Sequence, residues 1–330
     1  MLLSQYRTRD GRIQVVARDG TEAFEVLSPA SLYDLAMDCA REGETLHDRI
    51  GALGLNGAVD LEALYAEGRL LPPILHPDPA HLHLTGTGLT HLGSAATRAA
   101  MHAVASAEDT DSMKMFRMGL EGGRPPAGTA GVQPEWFYKG TGAALVAPGA
   151  PLVSPDFAED GGEEPEIAGI YVIGPDGTPF RVGFALANEF SDHVMERQNY
   201  LYLAHSKLRP AAIGPELLVG DLPRNVEGVS RIRRGNEIIF EKPFLSGEAN
   251  MSHSLANLEH HHFKYEIFRQ PGDVHVHMFG TATLSFGDGV QCQGGDLFEI
   301  AAEPFGMPLR NSLDAPTGPG PAALTQVRTL

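Results

Sequence analysis

Residues Glu164–Glu189 read EPEIAGIYVIGPDGTPFRVGFALANE. In the first half, Ala168, Ile170 and Val172 continue the face begun by Glu164 and Glu166, while Ile167, Tyr171 and Ile173 make the opposite face apolar. A strand that is apolar on both faces is covered on both, so this segment predicts the interior of a sheet. GPDGT at 174–178 is a turn, and Phe180–Glu189 returns as the partner strand. With Asp176-Gly177 as a two-residue loop, Pro175 pairs with Thr178, and counting back along the ladder sets Glu164 opposite Glu189. Side chains alternate with a period of two, so Glu164, Glu166 and Glu189 converge on one spot.

Opposed like charges destabilise a sheet, on the order of a few tenths of a kcal/mol when exposed and more when desolvated. A cation reverses that sign. Three hard oxygen ligands suit Mg²⁺, with Mn²⁺ or Ca²⁺ as alternatives, and leave coordination positions for water and a chelating substrate. The competing reading is a solvated acidic hairpin end, against which the apolar cover argues. The metal reading requires that no bulge shift the register, since a one-residue slip flips the face.

The rest of the composition frames this hairpin. The chain has 330 residues, 42% of them hydrophobic and 20% charged, which is ordinary globular usage and excludes a disordered or fibrous chain. Its 38 glycines and 24 prolines predict many turns and a strand-rich architecture. A net charge of −17 opposes nucleic acid and anionic lipid as partners. It would oppose an anionic substrate too, unless a metal ion or basic pocket reverses the local sign. Cys39 and Cys292 are far apart, in no disulfide or thiolate-zinc spacing, which fits a reducing compartment. No signal-like or bilayer-length apolar run is present, so a soluble cytoplasmic protein is expected.

Along the chain, residues 11–27 predict a hairpin turning at Arg18–Gly20. A helix follows, with Ser28 as cap, Pro29 in its first turn, Leu32, Leu35, Ala36 and Cys39 on one face and Gly43 as its stop. A second helical stretch near Leu61–Gly68 runs into Leu71-Pro72-Pro73, taken as a boundary. The expected organisation is a small N-terminal α+β domain, 1–75, and a larger domain, 76–330. Within the latter, His91–Ser106 and Ser191–Ala204 look helical, Gly119–Pro134 is a glycine- and proline-rich loop, and the last hundred residues are mostly short strands.

Other constellations are weaker. His275 and His277 lie two apart on one strand face, as in a cupin-like metal strand, but Thr281 stands where such a site calls for glutamate. Hydrogen-bonded strand histidines are the better reading. Consecutive His260, His261 and His262 cannot all face one ion and read as a polar surface or partner contact. Lys139, beside Trp136 and Phe137, and His205, Lys207 and Arg209 are candidate anion contacts. No local Ser-His-Asp or Cys-His nucleophile motif is present.

Taken in order, these residues resemble a known family. Glu164-Pro-Glu166 and Asn188-Glu189-Phe190-Ser191 are similar to the ExE and N-D-x-S metal motifs of the fumarylacetoacetate hydrolase superfamily. Pro134–Lys139 resembles its P-x-x-F-x-K segment, Ala204, Ser206, Gly214 and Pro215 its A-K-S...G-P segment, and Gly280-Thr281 its G-T-P loop. Gly294-Gly295-Asp296 and Leu309-Arg310-Asn311 resemble its C-terminal pattern. The resemblance spans about residues 80 to 311. Departures are specific: Ser94 and Thr97 stand where a family hydrolase carries its His-Glu dyad, Glu189 replaces the metal aspartate, His193 the following arginine, and His205 the A-K-S lysine, with Lys207 two residues on. The stretches 188–220 and 242–262 look like the sugar-acid branch, which includes 2-keto-3-deoxypentonate dehydratases.

The resemblance implies an α+β fold with a strand-rich β-roll catalytic domain, Mg²⁺ on Glu164, Glu166 and Glu189, and a homodimer. It makes Lys139, His205 and Lys207 candidates for catalysis, and Thr281, Lys139, Ser94 and His193 candidates for holding a small 2-keto acid, with neither nucleic acid nor membrane as partner. A 2-keto acid chelating the metal would have an acidified C3. Loss of that proton gives an enolate that can expel the C4 hydroxyl, and a proton lost from C5 with protonation at C3 yields 2-ketoglutarate semialdehyde. Two other functions stay open: a C–C bond hydrolase of 2,4-diketo acids, and a non-catalytic sugar-acid binding protein.

Overall fold

The computed structural model describes residues 1–27, 31–93, 110–315 and 324–330. The chain opens with β1 (Leu2–Arg7), β2 (Ile13–Asp19) and β3 (Glu22–Val26), an antiparallel meander in which β2 and β3 form the expected hairpin. Helix α1 (Leu32–Glu42) buries Leu32, Leu35, Ala36 and Cys39 and ends at Gly43. Its cap is Ser31 instead of Ser28, because Ser31 and Asp34 satisfy each other's backbone N–H groups reciprocally. Ser28 and Pro29 lie outside the described residues. Helix α2 (Leu46–Leu53), β4 (Leu55–Ala58) and α3 (Leu61–Ala66) follow. Strand β1 and helix α2 are additions to the sequence-based expectation.

The next elements are β5 (Leu82–Gly88), α4 (Asp111–Gly122), β6 (Glu135–Thr141), β7 (Leu145–Val146) and β8 (Leu152–Val153). The expected loop at 119–134 therefore starts later, since α4 carries the chain helically through Gly122. The helix expected over His91–Ser106 falls mostly on residues outside those described. Then come β9 (Pro165–Ile173), β10 (Pro179–Asn188), α5 (His193–Gln198), α6 (Leu203–Lys207) and β11 (Ala211–Leu218). A 3₁₀ turn at Tyr200–Tyr202 splits the single helix expected over Ser191–Ala204. Strands β12 (Val226–Arg234) and β13 (Glu237–Ser246), helix α7 (Leu255–Phe263), and β14 (Val274–Met278), β15 (Leu297–Ala302) and β16 (Leu309–Asp314) complete the chain.

These strands make two sheets of an α+β fold. The larger runs β4-β3-β2-β1-β11-β10-β9-β14-β5-β6, with β7 beside β11, and the smaller runs β13-β12-β15-β16-β8. Strand β9 lies inside the large sheet, and every one of its residues is buried. Ala168, Ile170 and Val172 join the core under α1, while Ile167 packs into the second core with Ile232, Phe298 and Ile300 of the smaller sheet. The two apolar faces of the opening segment thus hold two cores apart. The N-terminal strands belong to the same sheet, because β1 pairs with β11.

The register of β9 and β10 reaches the expected end by a different route. Gly174 and Thr178 close a three-residue loop, Pro175–Gly177, and Pro179 pairs with Ile173. That alone would place the glutamates one residue out of step. Val182 is then bulged, so that Arg181 faces Tyr171 but Gly183 faces Ile170. The extra residue restores the count, Asn188 pairs with Pro165, and the Glu189 N–H donates to the Glu164 carbonyl at 3.0 Å.

Candidate metal centre

Glu164, Glu166 and Glu189 each present a carboxylate oxygen within 4.8 Å of the others, and all three are buried. Basic side chains reach them from separate elements. Lys207, at the end of α6, donates to Glu164 Oε1 at 2.6 Å, Glu189 Oε2 at 2.7 Å and Ser191 Oγ at 3.1 Å. Lys139, on β6, lies 2.7 Å from Glu189 Oε1 and also donates to the carbonyls of Phe190 and Lys207. His193, the first residue of α5, reaches Glu164 Oε1 at 3.0 Å through Nε2 and Asp160 Oδ2 at 3.3 Å through Nδ1. Glu166 accepts the Gly280 N–H on Oε2 at 2.7 Å.

The electrostatics divide the three carboxylates. Burial alone would raise Glu164, but Lys207 and His193 outweigh it and hold this group well below the usual carboxylate range. Glu166 has no such partner, and burial together with Glu189 and Glu164 holds it well above that range. Burial lowers Lys139 and raises Glu189, which brings this acid and base closer to exchanging a proton than they would be in water. Lys207 goes the other way: Glu164 and Glu189 outweigh its burial and hold it protonated.

The donor set fits a hard divalent cation. His193 and Lys207 both fall on Glu164 Oε1, and Gly280 falls on Glu166 Oε2, so among the described residues no hydrogen bond falls on the other oxygen of either group. Glu166, flanked by two carboxylates, is the group whose charge is compensated least. A cation there would satisfy both conditions.

The other candidates are placed as follows. Thr281 follows Gly280 at the rim and is half-buried, its hydroxyl engaged with Thr283. His205 is exposed, edge-on to Tyr202, and no contact joins it to the carboxylates among the described residues. Arg209 is paired with Asp192 at 2.8 Å. Ser94 and Thr97 lie outside the described residues. Asp160 is a contribution that no motif signalled, whereas Ser191 and Gly280 lie in the N-D-x-S and G-T-P stretches of the resemblance.

A second group, His83, Asp273 and His275, also brings ligand atoms within 4.8 Å. Its protons argue against a metal. The Trp136 indole can only donate, and it does so to His262 Nδ1 at 3.2 Å. Burial keeps His262 and His275 neutral, so His262 Nε2–H donates to His275 Nδ1 at 2.9 Å and the proton of His275 sits on Nε2, with no lone pair to offer. His277 Nδ1 meets Thr85 Oγ1 at 2.8 Å, which agrees with the hydrogen-bonded reading of this strand. The expectation of a polar surface at His260–His262 is corrected: His261 and His262 are buried, because α7 turns them toward Gly131 and the β14 histidines, and only His260 is exposed.

No family model and no curated protein matches the sequence. Solved structures do match. An apo 2-keto-3-deoxy-D-arabinonate dehydratase superposes with a TM-score of 0.72 at 19% identity, covering 96% of this chain and 99% of its own. The same enzyme complexed with magnesium and 2,5-dioxopentanoate gives 0.70 at 19% identity, with the same coverage. Fumarylacetoacetate hydrolase from the psychrophilic Exiguobacterium antarcticum gives 0.59 at 15% identity, covering 96% of this chain and all of its own. The fold is the one these structures share, a fumarylacetoacetate hydrolase-type fold. In this fumarylacetoacetate hydrolase-type fold the β9–β10 hairpin supplies all three clustered glutamates, and β6 and α6 supply the lysines.

Proposed function

We propose that the chain is a divalent-metal-dependent hydro-lyase that converts a 2-keto-3-deoxy sugar acid, a pentonate, to 2-ketoglutarate semialdehyde in pentose catabolism. The observation that carries this reading is the convergence of Glu164, Glu166 and Glu189 with two buried lysines. The solved neighbour that holds magnesium and 2,5-dioxopentanoate supports it, because that molecule is the semialdehyde this reaction would form.

In this reading Glu164, Glu166 and Glu189 hold Mg²⁺, or Mn²⁺ or Ca²⁺. Bound there, the cation supplies the positive charge that chelates a 2-keto acid and acidifies its C3. Lys207 keeps Glu164 ionised and aligns it with Glu189. Lys139, fully buried against Glu189, is the better placed of the lysines to carry a proton to or from substrate, since burial weakens its hold on that proton. Thr281 and Ser94 are assigned to the substrate. His193 is assigned to the glutamate it touches, and His205 to a step outside the carboxylate cluster. The protein acts as a cytoplasmic homodimer in this reading.

The second reading, a C–C bond hydrolase of acylpyruvate-type diketo acids, draws on the hydrolase neighbour, but Ser94 and Thr97 offer no counterpart to a His-Glu dyad. A panel of keto-deoxy sugar acids and one diketo acid, assayed with Mg²⁺ and with chelator, separates them. Semialdehyde formed only with Mg²⁺ supports the dehydratase. Pyruvate released from the diketo acid supports the hydrolase, and binding without turnover of any substrate supports a non-catalytic binding protein.

A further inference from the structure

The ladder that opposes Glu164 to Glu189 continues beyond the strands. Gly162 and Ser191 exchange both backbone hydrogen bonds, 3.0 Å and 3.1 Å. The ladder ends there, since Asp192 caps α5 and His193 is its first residue, and it is the side chains that bring Asp160 and His193 together. By period-two alternation Gly162, Glu164 and Glu166 share one edge and Glu189 and Ser191 the other. Asp160 accepts from His193 Nδ1, and His193 Nε2 crosses to Glu164 Oε1. The crossing passes over Gly162, where a Cβ would fall 2.7 Å from His193 Nδ1, so the missing side chain makes room for the imidazole. Phe286 stacks on the ring at 5.1 Å between centroids and 25° between planes, which fixes its plane.

We propose that Asp160 is a positioning residue for the metal centre: it holds His193 in the one orientation that occupies Glu164 Oε1 and so presents the other oxygen of Glu164 to the cation. The inference rests on the metal reading above and adds to it a residue that touches neither metal nor substrate. An imidazole between two carboxylates donates from both nitrogens, so it does the work of an arginine, the residue the resemblance places at 193, only while Asp160 is there to orient it. Carboxylate–histidine pairs behind metal ligands typically tune affinity about 10- to 100-fold.

The test is Mn²⁺ binding by titration calorimetry and by the Mn²⁺ electron paramagnetic resonance spectrum, on wild type, Asp160→Asn, His193→Arg and the double variant, with thermal melts in parallel. Asp160→Asn is expected to weaken Mn²⁺ about 10- to 100-fold, while in the His193→Arg background the same substitution changes little, because arginine is charged and forked without help. Asp160→Asn binding Mn²⁺ as wild type does, or losing as much affinity with arginine at 193 as with histidine, would overturn the proposal. Should Asp160→Asn not fold, the comparison of His193→Arg with the double variant decides it: equal affinities support the role, and a large loss refutes it. Wild-type protein that binds no Mn²⁺ at all overturns the metal reading itself, a different result from any of these.

Discussion

The ammonium of Lys207 lies 2.6 Å from Glu164 Oε1, with both groups buried. Attraction between them is strong at this depth, but so is the cost of leaving either one alone, typically about 3–5 kcal/mol for a broken buried pair. Lys207→Met leaves Glu164 and Glu189 sharing only His193 and Lys139. The expected outcome is a loss of about 3–5 kcal/mol in urea melts of chelator-treated protein, with part of it recovered on adding Mg²⁺. Equal losses with and without Mg²⁺ would show that no cation enters between these carboxylates.

Glu166→Gln has the opposite sign. The amide keeps an acceptor for the Gly280 N–H and removes a charge that burial, Glu189 and Glu164 all disfavour. Chelator-treated Glu166→Gln is therefore expected to be as stable as wild type or more so, yet to show no rise in Tm with Mg²⁺ and no turnover. Retention of turnover in Glu166→Gln counts directly against the metal assignment.

The glutamate trio was legible because alternation is a local property: Ala168, Ile170 and Val172 show which face Glu164 and Glu166 share. Its agreement with the structure depended on two unseen features that cancel, the three-residue loop at 175–177 and the bulge at Val182. Neither leaves a mark in a period-two pattern. Lys139 was visible through the P-x-x-F-x-K resemblance and Lys207 as a basic candidate, but their pairing with Glu189 was not, since it comes from the meeting of β6 and α6 across the sheet. Asp160 lies past the end of that ladder, beyond the apolar run that made the ladder readable. The burial of His262 was hidden for a similar reason, because its partners Trp136 and His275 come from separate strands.

The bulge also makes a stability prediction. Gly183 follows Val182, and a Cβ there would fall inside contact distance of the Leu218 carbonyl and of Leu217, on the neighbouring strand β11. Backbone cannot yield as a side-chain tip can. Gly183→Ala is expected to cost on the order of 2–3 kcal/mol by pushing β10 from β11, and to lower Mg²⁺ affinity through the displaced Glu189. A variant as stable as wild type in urea would show that the β10–β11 spacing is not set at this point.

Acid should destabilise the fold, and Mg²⁺ should sharpen the effect. Burial holds His91 and His277 down at about 3, His253 at about 4, His262 and His275 well below the ordinary histidine value, and His261 below it. An unfolded histidine titrates near 6.5, so below that pH the unfolded chain binds protons that the fold excludes, and stability falls as pH falls. Four carboxylates among the described residues oppose this: Glu163, raised by burial to about 7, and Glu166, Glu189 and Glu216, also raised. They bind protons in the fold that the unfolded chain has released, between the ordinary carboxylate value and their own. Among the described residues six such histidines stand against four such carboxylates, so stability is expected to fall as pH falls from about 6.5 toward 5. On the alkaline side His193, held at about 10 because Asp160 and Glu164 outweigh its burial, adds stability that is full below about 6.5 and is lost as pH rises through 10. A cation on the trio keeps Glu166 and Glu189 ionised and removes two of the four opposing groups, so the acid limb of a Tm-versus-pH curve is expected to be steeper with Mg²⁺ than with chelator. Parallel acid limbs in the two conditions would separate the cation from these carboxylates.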